Sequence, residues 1–147
     1  MSARQLYEAL RTTYLLLEAG DQATAGRFGL PPILLRLLAQ LDVVKGRRQV
    51  ELTGTLLLEP STMTRAVDRL EQAGLVRRSA DPSDRRALLV RLTPAGQALR
   101  DAACSARDRA LHVRFATLTP QEQHTLAELL ARLRSSLQAA TTSGEAQ

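Results

Sequence analysis

The chain has 147 residues, enough for one domain or one protomer of an oligomer and too few for two domains with separate cores. Hydrophobic residues make up 44% of it and aromatic residues only 3%, so the core must be built mostly from leucine and alanine, which favours helices. Twenty Lys and Arg residues, all but Lys45 being arginine, exceed fifteen acidic residues and give a formal charge of +5. This excess suits an anionic partner, although a basic surface also serves solubility alone.

Nothing in the chain predicts export or membrane insertion. The apolar run that begins at Tyr14 is too short for a signal sequence and is interrupted by Glu18. The longest apolar stretch, residues 30–44, carries charged residues and is shorter than the roughly 20 residues that span a bilayer. The single cysteine, Cys104, cannot form an internal disulfide. We therefore expect a cytoplasmic protein.

The first part of the chain predicts three helices. Apolar residues recur at helical intervals over residues 3–19, and Gly20 is expected to end this first helix. The pair Pro31–Pro32 can open the second helix. Residues 45–48, KGRR, are typical of a basic turn, and a short third helix is predicted over residues 50–57.

The fourth predicted helix begins at Pro60 and is ended by Gly74. Its apolar positions have offsets that bring them to one side of a helix, and its polar positions share the other side. The apolar side comprises Met63, Ala66, Val67, Leu70 and Ala73, and the polar side Ser61, Thr64, Arg65, Asp68 and Gln72.

The segments LVRR and ALLVRL predict two short strands joined by the turn-rich segment SADPSDRR, that is, a β-hairpin with arginines at its tip. Thr93 followed by Pro94 then predicts the start of a long helix. A capping box formed by Thr119 and Glu122 predicts the start of the last helix. Residues 139–147 have nothing to bury, and we expect a flexible tail there.

The order of helix, turn, amphipathic helix, glycine and basic hairpin predicts a winged helix-turn-helix. A helix that enters the major groove needs small or hydrogen-bonding side chains facing outward near its N-terminus and an apolar face behind. Arginines on the hairpin suit a narrow, electronegative minor groove. Alternatively, the polar face is only solvated and the hairpin is an ordinary exposed turn. The DNA-contacting candidates are Ser61, Thr62, Thr64, Arg65, Arg69, Arg85 and Arg86, and the residues expected to support their geometry are Asp68, Arg78 and Asp84.

The segment PSTMTRAVDRLEQAGLVRR followed by DRRALLVRLTPAG resembles the multiple antibiotic resistance regulator (MarR) family of bacterial transcription factors. Its wing pattern is matched by Asp84, Arg86, Val90, Leu92 and Thr93.

The resemblance implies a mainly α-helical fold with a small β-hairpin wing, in a single protomer over residues 1–138. Residues 1–20 and 94–138 would form dimerisation helices, and residues 30–92 the DNA-binding lobe. A homodimer would then reach successive major grooves of a pseudo-palindromic operator in double-stranded DNA. The implied function is a sequence-specific transcriptional regulator, in many relatives a repressor released by a small effector. The alternative is a winged helix that binds DNA without sequence preference or docks a protein.

Two positions depart from the family pattern. Leu57 stands where a glycine is common in the turn before the recognition helix, and Glu59 where a serine or threonine cap is usual. A residue other than glycine is strained at positive φ, so we expect a local change in this turn and in the angle of the following helix.

Catalysis is not indicated, because the chain has no glycine-rich phosphate loop, nucleophile elbow or metalloprotease pattern. No cofactor is predicted either. Cys104, Asp108 and His112 share one stripe of a helix and are weak metal-ligand candidates, although Cys104 is better explained as a small packing residue. The sequence assigns no residue to an effector site.

Overall fold

The computed structural model of the chain describes the backbone of residues 1–144 and the side chains of residues 1–139 apart from Arg85. Over this range the fold is mainly helical with one small antiparallel sheet, which confirms the predicted fold class. Among the described residues, no helix is long and apolar enough to cross a membrane. The elements are α1 (Ala3–Gly26), α2 (Pro32–Leu38), β1 (Arg47–Arg48), α3 (Gln49–Leu56), α4 (Pro60–Gln72), β2 (Val76–Asp81), β3 (Asp84–Leu92), α5 (Pro94–Phe115) and α6 (Pro120–Gly144).

The chain divides into two compact units, Met1–Asp108 and Arg109–Gln147. The first contains α1 to β3 and most of α5, and the second contains the end of α5 together with α6. The first unit buries an aliphatic core to which α2, α3, α4 and the sheet all contribute. Its members include Leu37, Leu38, Leu52, Met63, Val67, Leu70, Val90 and Leu92.

The strand order of the sheet is β1-β3-β2, and both pairs are antiparallel. The prediction of a basic turn at KGRR was wrong in part, because Arg47 and Arg48 form β1 and pair with Val90 and Leu89. This third strand covers the edge of β3 that the hairpin alone would leave without backbone partners.

The hairpin is longer than the sequence predicted. Residues 79–81 and 84–86, expected in the turn, lie within β2 and β3, and only Pro82 and Ser83 form the turn. The pairing persists because Ser79 and Ala80 lie opposite Leu89 and Leu88 and continue the ladder. The register shifts between Ala80 and Asp81, so the predicted arginine tip is the irregular end of a strand rather than a loop.

Two helices extend beyond their predicted ends. The first continues past Gly20 to Gly26, because Thr24 and Ala25 are buried in the first unit. The last continues to Gly144, past the last leucine of its predicted apolar pattern. The flexible tail over residues 139–147 stays a prediction, and residues 145–147 lie outside the described range. No proline or glycine interrupts this segment before Gly144, so nothing in the sequence stops the helix earlier.

The junction between the sheet and α5 depends on Thr93 and Gly96. The Thr93 hydroxyl donates to the carbonyl oxygen of Gly74 at 2.6 Å and accepts from the backbone N–H of Gly96 at 3.0 Å. A Cβ at position 96 would lie 1.8 Å from the carbonyl oxygen of Leu75, so only glycine allows this close approach. The start of α5 is thereby held against the backbone that enters β2.

In the second unit the predicted capping box of α6 is present. The backbone N–H of Thr119 donates to the Glu122 carboxylate at 2.8 Å, and the backbone N–H of Glu122 donates to the Thr119 hydroxyl at 3.3 Å. These bonds from Thr119 lower the pKa of Glu122. The helix exposes a row of leucines, namely Leu126, Leu129, Leu130, Leu133 and Leu137.

Candidate nucleic-acid interface

Helix α4 separates a buried face from an unpartnered polar face. Met63, Ala66, Val67 and Leu70 are buried in the core, as predicted. The opposite face exposes Ser61, Thr62, Arg65 and Arg69, and none of these four side chains has a hydrogen-bond or ionic partner among the described residues. We call these four residues the polar ridge. Its donors are free to bind a molecule outside the chain.

The start of α4 has no side-chain cap. Glu59 occupies the N-cap position with extended backbone angles, but its carboxylate makes no capping hydrogen bond. Amides of the first turn are therefore left without a side-chain acceptor, and the positive end of the helix dipole lies beside the polar ridge. Such a helix start favours an anionic group such as a phosphate.

Thr64 is also exposed on α4, yet its hydroxyl is already engaged. The hydroxyl donates to the carbonyl oxygen of Pro60 at 3.0 Å and accepts from the side-chain amide of Gln49 at 2.7 Å. Gln49 is the first residue of α3, so this contact joins the two helices of the helix-turn-helix. The sequence did not single out Gln49.

Arg78 on β2 ties the hairpin to α4. Its guanidinium donates to Asp68 and to Glu71, each at 2.5 Å, and its backbone N–H donates to Glu71 at 2.9 Å. Burial alone would lower the pKa of Arg78, but the hydrogen bonds that its guanidinium donates to the two carboxylates outweigh this effect and raise that pKa. The predicted supporting pair of Asp68 and Arg78 is thus brought together, and Glu71 is a partner that the sequence reading missed.

A second arginine, Arg48, joins β1 to the end of the hairpin. Arg48 on β1 donates to the carboxylate of Asp81 at 2.7 Å and to the hydroxyl of Ser83 at 3.2 Å. The hydroxyl and backbone N–H of Ser83 also donate to Asp81, and these bonds, followed by that from Arg48, lower the pKa of Asp81 to about 2. Sequence reasoning missed this cluster, although an aspartate before Pro82 is a usual turn-forming signal.

Asp84 lies in β3 beside the predicted wing arginines. Its carboxylate accepts from the backbone N–H of Arg86 at 3.0 Å, and no guanidinium binds it among the described residues. The role of Asp84 in holding a wing arginine stays a prediction. Arg86 is exposed, and its guanidinium has no partner in the described part of the chain. The side chain of Arg85 lies outside the described residues, so its assignment stays a prediction.

The turn between α3 and α4 contains the expected strain. Leu57 has φ 53° and ψ 46°, the left-handed conformation that glycine adopts most easily. Its side chain is 85% exposed, so packing does not compensate for this backbone conformation. The backbone N–H of Leu58 still donates to the carbonyl oxygen of Thr53 at 3.1 Å, and the turn closes as it would with glycine.

Comparison with known proteins identifies the family. The MarR family model matches residues 32–88. The crystal structure of a probable transcriptional regulator from Pseudomonas aeruginosa is 36% identical in sequence and superposes with a TM-score of 0.77, covering 88% of this chain and 96% of that one. The chain belongs to the MarR family. It is therefore a relative of transcriptional regulators, and the resemblance inferred from the sequence is confirmed.

Two further relatives match most of this chain. The uncharacterized HTH-type transcriptional regulator YdgJ of Bacillus subtilis is 30% identical over 104 residues, which are 71% of this chain and 62% of that protein. Sco3205 of Streptomyces coelicolor, a MarR family transcriptional regulator crystallised in complex with DNA, is 27% identical with a TM-score of 0.85 and 93% coverage of both chains.

Cys104 lies in the part of α5 that belongs to the first unit of this MarR-family chain. Burial, followed by the charge of Asp108, raises the pKa of its thiol, which disfavours the reactive thiolate. Among the described residues, no three His, Cys, Asp or Glu side chains group as metal ligands, and Cys104, Asp108 and His112 do not form such a group. Cys104 instead lines a cleft in the first unit, together with Asp21, Arg36 and Arg107.

Proposed function

We propose that the protein regulates transcription by binding double-stranded DNA sequence-specifically as a homodimer. The observation that carries this proposal is the polar ridge. Its hydroxyls and guanidinium groups have no partner within the described chain, while the opposite face of α4 is anchored in the core. A helix fixed in this way fits the major groove and can offer these donors to base edges and phosphates.

The proposal assigns base reading to Arg65 and a backbone or minor-groove contact to Arg86. Arg65 carries a planar fork of donors that matches the two acceptors of guanine in the major groove. Arg86 lies in β3 near the end of the wing, and its guanidinium has no partner among the described residues. Arg85 is proposed beside it from the sequence. The charge of both arginines suits a narrow minor groove.

The homodimer is supported by apolar surface on α1 and, separately, on α6. In the first unit, Leu6, Tyr7, Tyr14, Leu15 and Leu16 of α1 are each about half exposed or more. In the second unit the row of leucines on α6 is exposed as well. Apolar patches of this kind in a soluble protein mark an interface, and a second copy of the chain is the partner that the family relationship favours.

Release by a small effector and repression are the remaining parts of the proposal. The cleft that contains Cys104 and Arg107 is the candidate effector site, because Arg107 has a buried Nε without a hydrogen-bond partner there. The role is non-catalytic: its relatives are transcriptional regulators, and both histidines lie outside α4 and the wing. DNA binding in a bacterial cell requires a cytoplasmic location.

The decisive experiment begins with selection of bound fragments from a random duplex library with the purified full chain. Dissociation constants are then measured for the recovered duplex and for scrambled duplexes at one salt concentration. A specific regulator should recover a pseudo-palindrome and bind it at least 10³-fold more tightly than scrambled DNA. Equal affinity for both would identify a sequence-blind DNA-binding protein, and no affinity for either would favour a protein-docking module. Both results would overturn the proposal.

A further inference from the structure

The hydroxyl of Thr64 has no hydrogen left to offer to DNA. A threonine hydroxyl has one hydrogen and two lone pairs. In Thr64 the hydrogen is donated to the carbonyl oxygen of Pro60, and one lone pair accepts the amide of Gln49. If the amide of Gln49 were turned so that its oxygen faced Thr64, the hydroxyl would donate to that oxygen, and its hydrogen would again be engaged.

This bonding separates Thr64 from its neighbour Thr62. Thr62 is exposed, and its hydroxyl has no partner among the described residues. Thr62 can therefore donate to a phosphate or a base acceptor without breaking any bond within the chain. Thr64 would first have to give up its bond to Pro60, and the net gain from exchanging one hydrogen bond for another is small.

The groups left on Thr64 for recognition are its methyl and one lone pair of its hydroxyl, which could only accept from the amino group of adenine or cytosine. The acceptors of guanine, adenine and thymine in the major groove all require a donor, which Thr64 lacks. The C5-methyl of thymine is the one apolar feature that a base presents there. We infer that Thr64 recognises thymine by contact between its Cγ2 methyl and the C5-methyl of the base, and not through its hydroxyl. This inference rests on the proposed DNA-binding function and adds a specificity-determining residue to it.

The experiment uses the full chain and the duplex recovered by selection with the wild-type protein. Each thymine of the half-site is replaced in turn, symmetrically in both half-sites, by deoxyuridine, which lacks only the C5-methyl. Dissociation constants are measured by fluorescence anisotropy at constant salt. For the wild type, deoxyuridine at one thymine should weaken binding about fourfold per half-site, the value expected for one buried methyl.

Three variants attribute that loss to a side chain. Thr64→Ser keeps the hydroxyl and removes the methyl, so its affinity should no longer depend on the C5-methyl of that thymine. Thr64→Val keeps a methyl and removes the hydroxyl, so the fourfold loss should persist. Thr62→Ser, the matched control, removes a methyl from the neighbouring threonine and should respond to deoxyuridine as the wild type does.

The outcomes distinguish the inference from the function on which it rests. A recovered operator with no thymine at which Thr64→Ser and wild type differ would overturn the inference and leave specific DNA binding intact. Loss of thymine preference in Thr64→Val would also overturn it, because the hydroxyl would then be the recognition group. Failure to recover any operator with the wild type would overturn both.

Discussion

The guanidinium of Arg78 on β2 and the carboxylate of Asp68 on α4 lie 2.5 Å apart, and they join the wing directly to the recognition helix. The Arg78 side chain is 18% exposed, and Glu71 accepts its other terminal nitrogen. The polar ridge lies on α4 and the wing arginine on the hairpin, so we expect loss of the Arg78 contacts to change the angle between the two parts of the proposed interface.

Arg78→Met is expected to weaken both the fold and operator binding. The substitution keeps most of the apolar stem, leaves Asp68 without this donor and leaves Glu71 with only the backbone N–H of residue 78, so we expect a loss of roughly 1–2 kcal/mol in the free energy of unfolding. Misalignment of wing and helix should weaken operator binding by about tenfold. Urea denaturation and fluorescence anisotropy measure the two effects.

Arg77→Met is the matched control, because Arg77 is the preceding residue of the same strand, is exposed and has no partner among the described residues. It removes the same charge and should change the free energy of unfolding by no more than about 0.5 kcal/mol. Equal destabilisation by the two substitutions would show that the Arg78 cluster does not stabilise the wing.

Arg65→Ala and Arg86→Ala should impair binding in different ways. Loss of Arg86 removes a contact to the DNA backbone or minor groove, so affinity should fall for many sequences and the salt dependence should decrease by about one unit of slope. Loss of Arg65 removes a base contact, so preference at one base position should relax, at a cost of roughly 1–3 kcal/mol on the preferred operator. Repeated selection and titrations at several salt concentrations measure these effects.

Arg27→Ala serves as the control for both, because Arg27 is exposed outside α4 and the wing. Its loss removes the same formal charge and should leave base preference unchanged. The assignment of Arg65 and Arg86 would be refuted if both variants had the same affinity, salt dependence and base preference as the control.

The elements that bury apolar side chains were predictable from periodicity. The face of α4 that contains Met63 and Leu70 follows from helical spacing, and the capping box at Thr119 follows from local chemistry. Both signals are contained within a few residues of the chain. These features can therefore be predicted without knowledge of the tertiary structure.

The missed features depend on residues far apart in the chain. Arg48 binds Asp81, which is 33 positions away, and β1 exists only because its two residues meet the edge of β3. Gln49 reaches Thr64 over 15 positions. Sequence periodicity does not indicate which distant residues bind each other. The polar face of α4 could therefore be predicted from the sequence, but the hydrogen bonds that engage some of its side chains and leave others without a partner could not.

Leu57→Gly is expected to stabilise the protein. The left-handed conformation of a residue other than glycine costs roughly 1–2 kcal/mol, and the entropy that glycine loses on folding offsets about 0.5–1 kcal/mol of the gain. The net increase in the free energy of unfolding should be roughly 0.5–1 kcal/mol, since the exposed side chain of Leu57 contributes little burial. Urea denaturation with a two-state fit measures it.

Leu57→Ala is the control, because it removes the side chain and keeps the positive φ. Its free energy of unfolding should stay within about 0.5 kcal/mol of the wild type. A gain in Leu57→Ala equal to that in Leu57→Gly would attribute the effect to the side chain rather than to the backbone.

The hydrogen bonds that the Asp81 carboxylate accepts from Ser83 and from Arg48 should make the stability of the wing depend on pH in the acid range. The pKa of Asp81 is about 2 in the fold, whereas an unfolded aspartate has a pKa near ~3.9. Between these values the unfolded chain binds more protons, so the contribution of Asp81 is complete above about pH 4 and is lost as the pH falls towards 2. Asp81→Asn removes the carboxylate, so its urea midpoint should lie below that of the wild type at neutral pH, and the gap should narrow below about pH 4.

Ser83→Ala tests the cause of that shift. It removes the hydroxyl that donates to Asp81 at 2.7 Å, so the pKa of Asp81 should rise towards its ordinary value and the range of pH over which stability is lost should become narrower. Urea midpoints for wild type and both variants between pH 7 and pH 3 provide the comparison. The difference in urea midpoint between wild type and Asp81→Asn could instead stay constant over this whole range. Ionisation of Asp81 would then contribute nothing to stability, and the contacts of Arg48, Asp81 and Ser83 would stabilise the wing only by packing.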